Sequence, residues 1–560
     1  MERRNPLLSF LNKAPVARLR YVVAVGMVVL IGGGLALALC WGRCCRRPVQ
    51  AYRSDLAETH YRTHLPLVLR QHRSTVSKPP LIVRSIASWV GLLSLVGGLA
   101  FAFKGTGSTR LRLSKVHVHM NRRSISAVVF LITTAVYLFV ALGVVGRLPL
   151  TGDEPHYMMI AHSLCVDGDV NLSNNHENRA YRAFGHDKLI PHAHDYRGNG
   201  ALISAHGVGL PLVLLPVYCL FRSVAAVRAW LALLSALAAT QIFLLVYEVT
   251  SDTKVATIIW AAISFTSPVL VHSSQVYPGV VGALAVIWAV RRIRAGCPRW
   301  LDVLSLAMVV AYLPWLHVKF GLISLVLFVT GLFVLRHKKW AALVTVVVPA
   351  ISAGLFLFYF HSWYGSISPM AGYSFRHSLR WSLKMEHVHK SFIALLFERE
   401  YGLIAYSPLY ILSFFGLGVL LARRRAGECL APAIALIYLV TMSPFGYRRG
   451  YCFPARHLMV IVPLLSVPLG LFLKYVSKGR WLFSYLALGS LAIAMVMLTV
   501  LPKAYFNNDG LTKVPIVMHV QYLFPSIVAG SLWKSTLWGL LLVSGIVAAA
   551  IDYDCSTSQT

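Results

Sequence analysis

Charged residues are scarce in this 560-residue chain. They make up 13% of it, about half of the roughly 25% usual for soluble globular proteins, while 57% of the chain is hydrophobic. Acids are the scarcest: 20 Asp and Glu stand against 53 Lys and Arg, for a formal charge of +33 at pH 7. That balance excludes a soluble globular enzyme, a disordered chain and a fibrous one. No stretch repeats at a fixed period, so the internal symmetry common in secondary transporters is missing. The nine cysteines contain no Cys-x-x-Cys pair and no zinc-ligand spacing. Cys40, Cys44 and Cys45 flank a hydrophobic block and read as inert or acylated. A cleavable secretory signal would need a short apolar core and a small-residue cleavage site. The first apolar block, Tyr21 to Gly42, is 22 residues long and runs into Arg43-Cys44-Cys45-Arg46-Arg47, so it reads as a span.

Apolar blocks separated by short charged loops are abundant, the pattern of many membrane-crossing helices. The expected fold is all-α and polytopic. About half of the charge excess lies in residues 1–124, which hold 20 basic and three acidic residues. Nucleic-acid binding is one reading of such a region. Basic cytoplasmic loops beside anionic lipid are the better one, because the charges cluster next to apolar blocks, and no nucleic acid is expected as a partner. Residues 1–124 are therefore read as a basic region with a two-helix transmembrane hairpin (blocks 21–42 and 85–103), 125–505 as the main transmembrane module, and 506–560 as an outer loop and a last helix.

From residue 124 onward the positive-inside rule orients the chain. Seven of the 20 acids fall between Asp153 and Asp195, placing that loop outside. Arg291–Arg294, Arg336–Lys339, Arg423–Arg425 and Lys474–Arg480 belong inside. The apolar segment Val208 to Phe221 is short and contains Pro211 and Pro216. Counting it as a crossing would put Arg291–Arg294 on the wrong side, so it is expected to lie at the outer interface. Twelve crossings follow, at roughly 125–146, 224–247, 255–271, 279–290, 301–317, 319–335, 341–360, 403–422, 429–444, 457–473, 481–501 and 534–551.

The unusual residues lie in the outer loops. The first begins Leu150-Thr151-Gly152-Asp153-Glu154-Pro155-His156-Tyr157. Two adjacent carboxylates at the outer end of a span can take a proton from an incoming hydroxyl or hold a metal. They can equally cap the helix that starts at Pro155. The same loop carries many histidines, and His192-x-His194 with Asp195 is a weak candidate for a divalent cation.

Asp153-Glu154-x-x-Tyr157 just after a span resembles the first-loop motif of the GT-C superfamily of membrane glycosyltransferases, which includes protein O-mannosyltransferases and lipid A aminoarabinose transferases. Four further stretches are similar to a bacterial branch of it and come in the same order: Asp167-Gly168-Asp169 with Asn174-Asn175; His206-Gly207-Val208-Gly209-Leu210-Pro211; Tyr364-Gly365-Ser366 with Gly372-Tyr373; and Tyr401-Gly402-Leu403-Ile404-Ala405-Tyr406-Ser407-Pro408. The resemblance covers about 125–500. It implies a GT-C-like helical bundle with outer loops and interfacial helices. It also implies transfer of a sugar, with inversion, from a polyprenyl-phosphate donor to a glycan, lipid or protein acceptor. The catalytic residues would be Asp153, as the base, and Glu154, its neighbour in the motif.

A lipid-phosphate leaving group calls for cations at the outer face. Lys319 and Arg456 begin spans there, and Arg449 lies on an outer loop against the positive-inside rule. Pro454-Ala455-Arg456 stands where relatives often carry Gly-Pro-Arg. Tyr157, His206, His317, Tyr364, Tyr373 and Tyr406 are expected to line the substrate site, though outer aromatics also form the interfacial belt. The expected location is a bacterial inner membrane, with the active site facing outward. The alternative is a transporter or flippase of a lipid phosphate or another solute. Acids concentrated in loops rather than within spans favour the enzyme.

Overall fold

The computed structural model describes residues 122–374, 388–444, 452–476, 479–499, 522–526 and 532–558. The expected N-terminal hairpin and Arg449 lie outside the described residues. What is described is all-α, apart from one two-residue antiparallel pair, β1 (Ala193–His194) with β2 (Ile203–Ser204). Among the described residues, six helices are long and apolar enough to cross a membrane, and six shorter apolar helices accompany them.

Three helices set the axis of the bundle. α1 (Arg122–Leu138) continues through a π-helical turn to Val144. α5 (Val224–Thr250) runs back beside it. α8 (Pro278–Arg294) packs on α5. Between α1 and α5 come α2 (Glu154–Val166), the short α3 (Ser173–Glu177), the β pair and α4 (Gly209–Phe221). Between α5 and α8 lie α6 (Thr253–Ser264) and the short α7 (Val269–His272). Local sequence starts α5 and α6 where they begin: the Ser223 hydroxyl accepts from the Ala226 amide, and the Asp252 carboxylate accepts from the amides of Lys254 and Val255.

One end of the bundle is tied by charge. Glu248 near the end of α5 receives Arg122 from the start of α1 (2.7 Å) and Arg291 from the end of α8. Lys474 donates to the Thr250 carbonyl at the same end. Arg423 grips Glu428 through two hydrogen bonds of 2.9 and 3.0 Å. A carboxylate buried in a bundle is costly unless paired, and Glu248 and Glu428 each have an arginine. This is the end to which the basic loops belong.

The other end carries the site. Arg228, near the start of α5, is 1% exposed and donates to the carbonyls of Val145 (2.6 Å) and Leu148 (3.1 Å), just ahead of Asp153. Tyr277, at the N-cap of α8, donates to the Thr151 carbonyl (3.2 Å). α1, α5 and α8 therefore each have one end in the charge cluster and the other at the loop before α2.

Both ends of α4 lie at the site end of the bundle. Its first residues abut the end of α9 (Trp300–Leu316): a Cβ on Gly209 would lie 2.3 Å from the Trp315 carbonyl oxygen, so only glycine permits the approach. Its last turn leads directly into α5 beside Arg228, and Cys219 is joined to Cys165 at the end of α2. α2 and α4 thus lie side by side at one end of the bundle.

The chain continues through α10 (Gly321–Leu335), α11 (Lys339–Tyr364), the short α12 (Ala371–Ser374), α13 (Val388–Phe397), the short α14 (Leu403–Tyr406), α15 (Ile411–Arg423), α16 (Ala426–Met442), α17 (Ser466–Tyr475), α18 (Gly479–Thr499) and α19 (Leu532–Ser558). α19 packs along α15, where Gly418 lets the backbone of Ile546 come within van der Waals reach. Small residues at such crossings let helices approach closely where lipid supplies no hydrophobic drive.

Candidate active site

The site is built on the turn that opens α2. Gly152 takes a left-handed φ of 59°, and the chain turns there into Asp153. Asp153 occupies the N-cap position but makes no side-chain cap. Its carboxylate points elsewhere, which sets aside the capping reading for this residue. Glu154 is fully buried. One of its oxygens accepts from the Thr151 amide (3.0 Å), the other from the Val276 amide (2.9 Å). It bolts the first loop to the segment before α8.

Asp153 Oδ2 receives Arg456 at 3.0 Å. The two residues are 303 positions apart. Arg456 follows Ala455, whose φ of 60° is left-handed, and the Ala455 amide donates to the Tyr401 carbonyl (3.1 Å). The guanidinium lies over the Tyr277 ring, 4.8 Å from its centre. His272 contacts the Pro454 carbonyl at 3.0 Å. The turn that presents Arg456 is thereby held from three sides.

Asp153 Oδ1 faces two imidazoles, His206 Nε2 at 3.8 Å and His192 Nδ1 at 3.9 Å, and those two nitrogens lie 3.1 Å apart. The β pair puts the histidines together: the His192 carbonyl accepts from the Ala205 amide (2.8 Å), next to His206. His156, one helical turn after Asp153, stacks on His192 with ring centres 3.7 Å apart. Tyr157 packs against His206 at 5.0 Å.

Burial would push the Asp153 carboxyl up, but Arg456, with the three imidazoles, more than offsets this and holds it well below the usual carboxylate range. Burial pushes His156 well below the usual imidazole range, so its ring is neutral. Burial disfavours the Arg456 charge but its neighbours restore it, and the residue stays cationic.

Two cavities lie near the site, one lined by Ala205 and Gly207, the neighbours of His206, and one by Arg456 itself. The first, about 400 Å³ and partly open, is lined by Trp315, His317, Phe356, Phe360, Tyr364 and Tyr373 among others. It is mainly apolar and aromatic. The Tyr364 hydroxyl is anchored on the Ser204 carbonyl (2.6 Å), and the Tyr373 ring faces His317. The second, about 260 Å³, is lined by Tyr401, Cys452, Phe453, Arg456 and His457 among others. Lys319 Nζ reaches His457 Nδ1 at 3.5 Å, on the same side.

Of the residues singled out in the sequence, the fold thus gathers Asp153, Tyr157, His206 and Arg456 at one point, with His317, Tyr364 and Tyr373 lining the first cavity and Lys319 reaching His457 of the second. Tyr406 is buried with its hydroxyl on the Glu400 carbonyl (3.1 Å) and lines neither cavity. His192 does not join His194 and Asp195. It sits with Asp153 and His206, while His194 packs edge-on against Tyr196 and Asp195 accepts from the amides of Arg197, Asn199 and Gly200, closing its own loop. Sequence reasoning missed His156, Tyr277 and the Cys165–Cys219 disulfide. His156 carried a usable signal: three positions after Asp153, it falls on the same side of the helix. The cysteine pair carried one too, since both residues fall in a stretch already assigned to one side of the membrane.

No protein-family model and no curated protein matches the chain. Among solved structures it is similar to the crystal structure of ArnT from Cupriavidus metallidurans bound to undecaprenyl phosphate, at 17% sequence identity and a TM-score of 0.45, over 76% of this chain and 74% of that one.

Proposed function

We propose that this protein is an integral-membrane glycosyltransferase of the GT-C type. It moves a sugar from a polyprenyl-phosphate donor to an acceptor at the membrane face opposite its basic loops. The observation that carries the reading is the Asp153–Arg456 pair at the site end of the bundle, with Arg456 lining a cavity. It joins a first-loop carboxylate, in a motif resembling that of these enzymes, to a cation suited to a phosphate.

The pair has a chemical consequence. A carboxylate held by a guanidinium is a poor proton acceptor, because its charge is already neutralised. A donor phosphate arriving beside Arg456 competes for the same guanidinium, and Asp153 regains basicity as Arg456 turns to it. Asp153 then takes the proton of the acceptor hydroxyl as its oxygen attacks the anomeric carbon, and the carbon–oxygen bond to the lipid phosphate breaks. Arg456 and Lys319 stabilise the charge growing on the leaving phosphate. The apolar first cavity suits hydrocarbon. Glu154 holds the turn and touches no reactant. The Cys165–Cys219 bond suits an oxidising, non-cytoplasmic compartment, in agreement with the positive-inside rule. The carboxylates of Glu248, Asp302 and Glu428 are paired with arginines at the basic end, leaving them unavailable as a transport relay.

The test is consumption of a radiolabelled polyprenyl-phosphate sugar by the full-length protein in lipid vesicles, supplied with an envelope extract as acceptor. Label moving to an acceptor supports the reading. Intact donor after prolonged incubation with protein and extract overturns it.

A further inference from the structure

The three atoms Asp153 Oδ1, His192 Nδ1 and His206 Nε2 form a triangle with edges of 3.1, 3.8 and 3.9 Å. The point equidistant from all three lies about 2.1 Å from each, the bond length zinc makes to imidazole nitrogen and carboxylate oxygen. Drawing the two long edges in by a few tenths of an ångström would raise that point out of the plane into a tetrahedral position. We infer that Asp153, His192 and His206 form a binding site for a transition-metal dication of the zinc class, with a fourth position open towards the cavities.

The ligand set selects the metal. Two imidazoles and one carboxylate suit zinc and its borderline-soft neighbours, whereas magnesium and calcium prefer oxygen alone. Three protein ligands with one vacant position are the arrangement of reactive rather than purely structural zinc. The supports are in place as well. Arg456 holds Oδ2, so the carboxylate offers Oδ1 singly. The His206 amide donates to the Ser204 hydroxyl (3.1 Å), and His192 is pinned by the β pair and the stacked His156 ring. Asp153 and His192 keep 28% and 24% of their side-chain exposure, leaving a path for the ion. With the dication bound, metal, Arg456 and Asp153 together carry two positive charges beside the cavities. An anionic substrate group brings the opposite charge. The open position fits an oxygen ligand, either water or a substrate hydroxyl.

The inference concerns the same residues as the proposed transfer but does not depend on it. Metal binding without sugar transfer would defeat only the transfer reading, and transfer without metal binding only this one. The experiment measures metal on the full-length protein, with any purification tag removed. Protein is incubated with Zn²⁺, desalted, and its zinc measured by mass spectrometry. A parallel sample takes Co²⁺ and is read by visible absorption. The wild type should retain one more equivalent of zinc than His192→Ala or His206→Ala, and His194→Ala should retain as much as the wild type. Cobalt should give the intense visible band of a tetrahedral imidazole site, bleached by added Zn²⁺. This readout needs only the wild type, should the alanine variants fail to fold. Equal zinc in the wild type and the two variants, or a wild type without the cobalt band, overturns the site.

Discussion

Glu154 gives both carboxylate oxygens to backbone amides, those of Thr151 and Val276, whereas Asp153, one residue earlier, turns its carboxylate to Arg456 and two imidazoles. Glu154→Gln replaces one acceptor with an NH₂ group facing a backbone N–H, which costs about 1–3 kcal/mol. Its thermal midpoint in detergent should fall clearly below that of wild type. A midpoint equal to wild type would show that the bolt is not structural. Titration tells the histidine from the acid. His156 is held below the ordinary imidazole value of about 6.5. The stability it contributes is therefore full above that value and declines as pH falls below it, since the unfolded chain then binds protons that the folded one refuses. The Asp153 contribution has the same sign but is lost only below about pH 3.9, the unfolded value. Thermal midpoints recorded from pH 7 to pH 5 should fall for wild type and fall less for His156→Gln. A flat wild-type profile would contradict the burial of a neutral imidazole. Of this chemistry, Asp153 and Glu154 were legible as a pair from one short motif. Their division of labour was not, because it depends on Val276 and Arg456, which no local spacing connects to them.

At the scale of elements, α4 shows how charge can outrank hydropathy. The segment is apolar throughout, yet the proposed inside placement of Arg291–Arg294 calls for it not to cross. The contacts of its two ends, Gly209 with Trp315 and Cys219 with Cys165, keep it at the site end. Gly209→Ala would drive a Cβ into a backbone oxygen and should cost roughly 1–3 kcal/mol or more through displacement of α4 from α9. Gly354→Ala in α11, where a Cβ meets nothing within 4 Å, should be neutral or slightly stabilising on helix propensity. Equal midpoints for the two variants would contradict the close approach. Cysteine labelling gives a second check: a cysteine at Arg222 should react from the same side as the first loop, and one at Lys338 only from the opposite side. Reaction of both from one side would break the proposed register. The helices were legible because apolar runs and basic loops mark them. The histidine pairing was not, because it rests on two paired residues in each of β1 and β2, too short a stretch for alternation to register.

Across the whole molecule the two ends differ in kind. One is a set of arginine–carboxylate pairs that join helix ends; the other is a carboxylate shared between an arginine and two imidazoles, close to aromatic residues. The first kind locks helices together, and the second leaves a reactive group available. The expected all-α, multi-spanning chain agrees with the described helices, since length and hydropathy alone decide it. Which loops meet was not readable, since a contact such as Asp153 with Arg456 spans 303 positions and leaves no periodic trace. The most direct test of the central claim is the turnover of Asp153→Asn against wild type, with a polyprenyl-phosphate sugar and after folding has been checked by thermal midpoint. Asn keeps the size of the side chain but cannot accept the proton, so turnover per folded molecule should fall by about 10²–10⁴-fold. Wild-type turnover in Asp153→Asn would contradict the account.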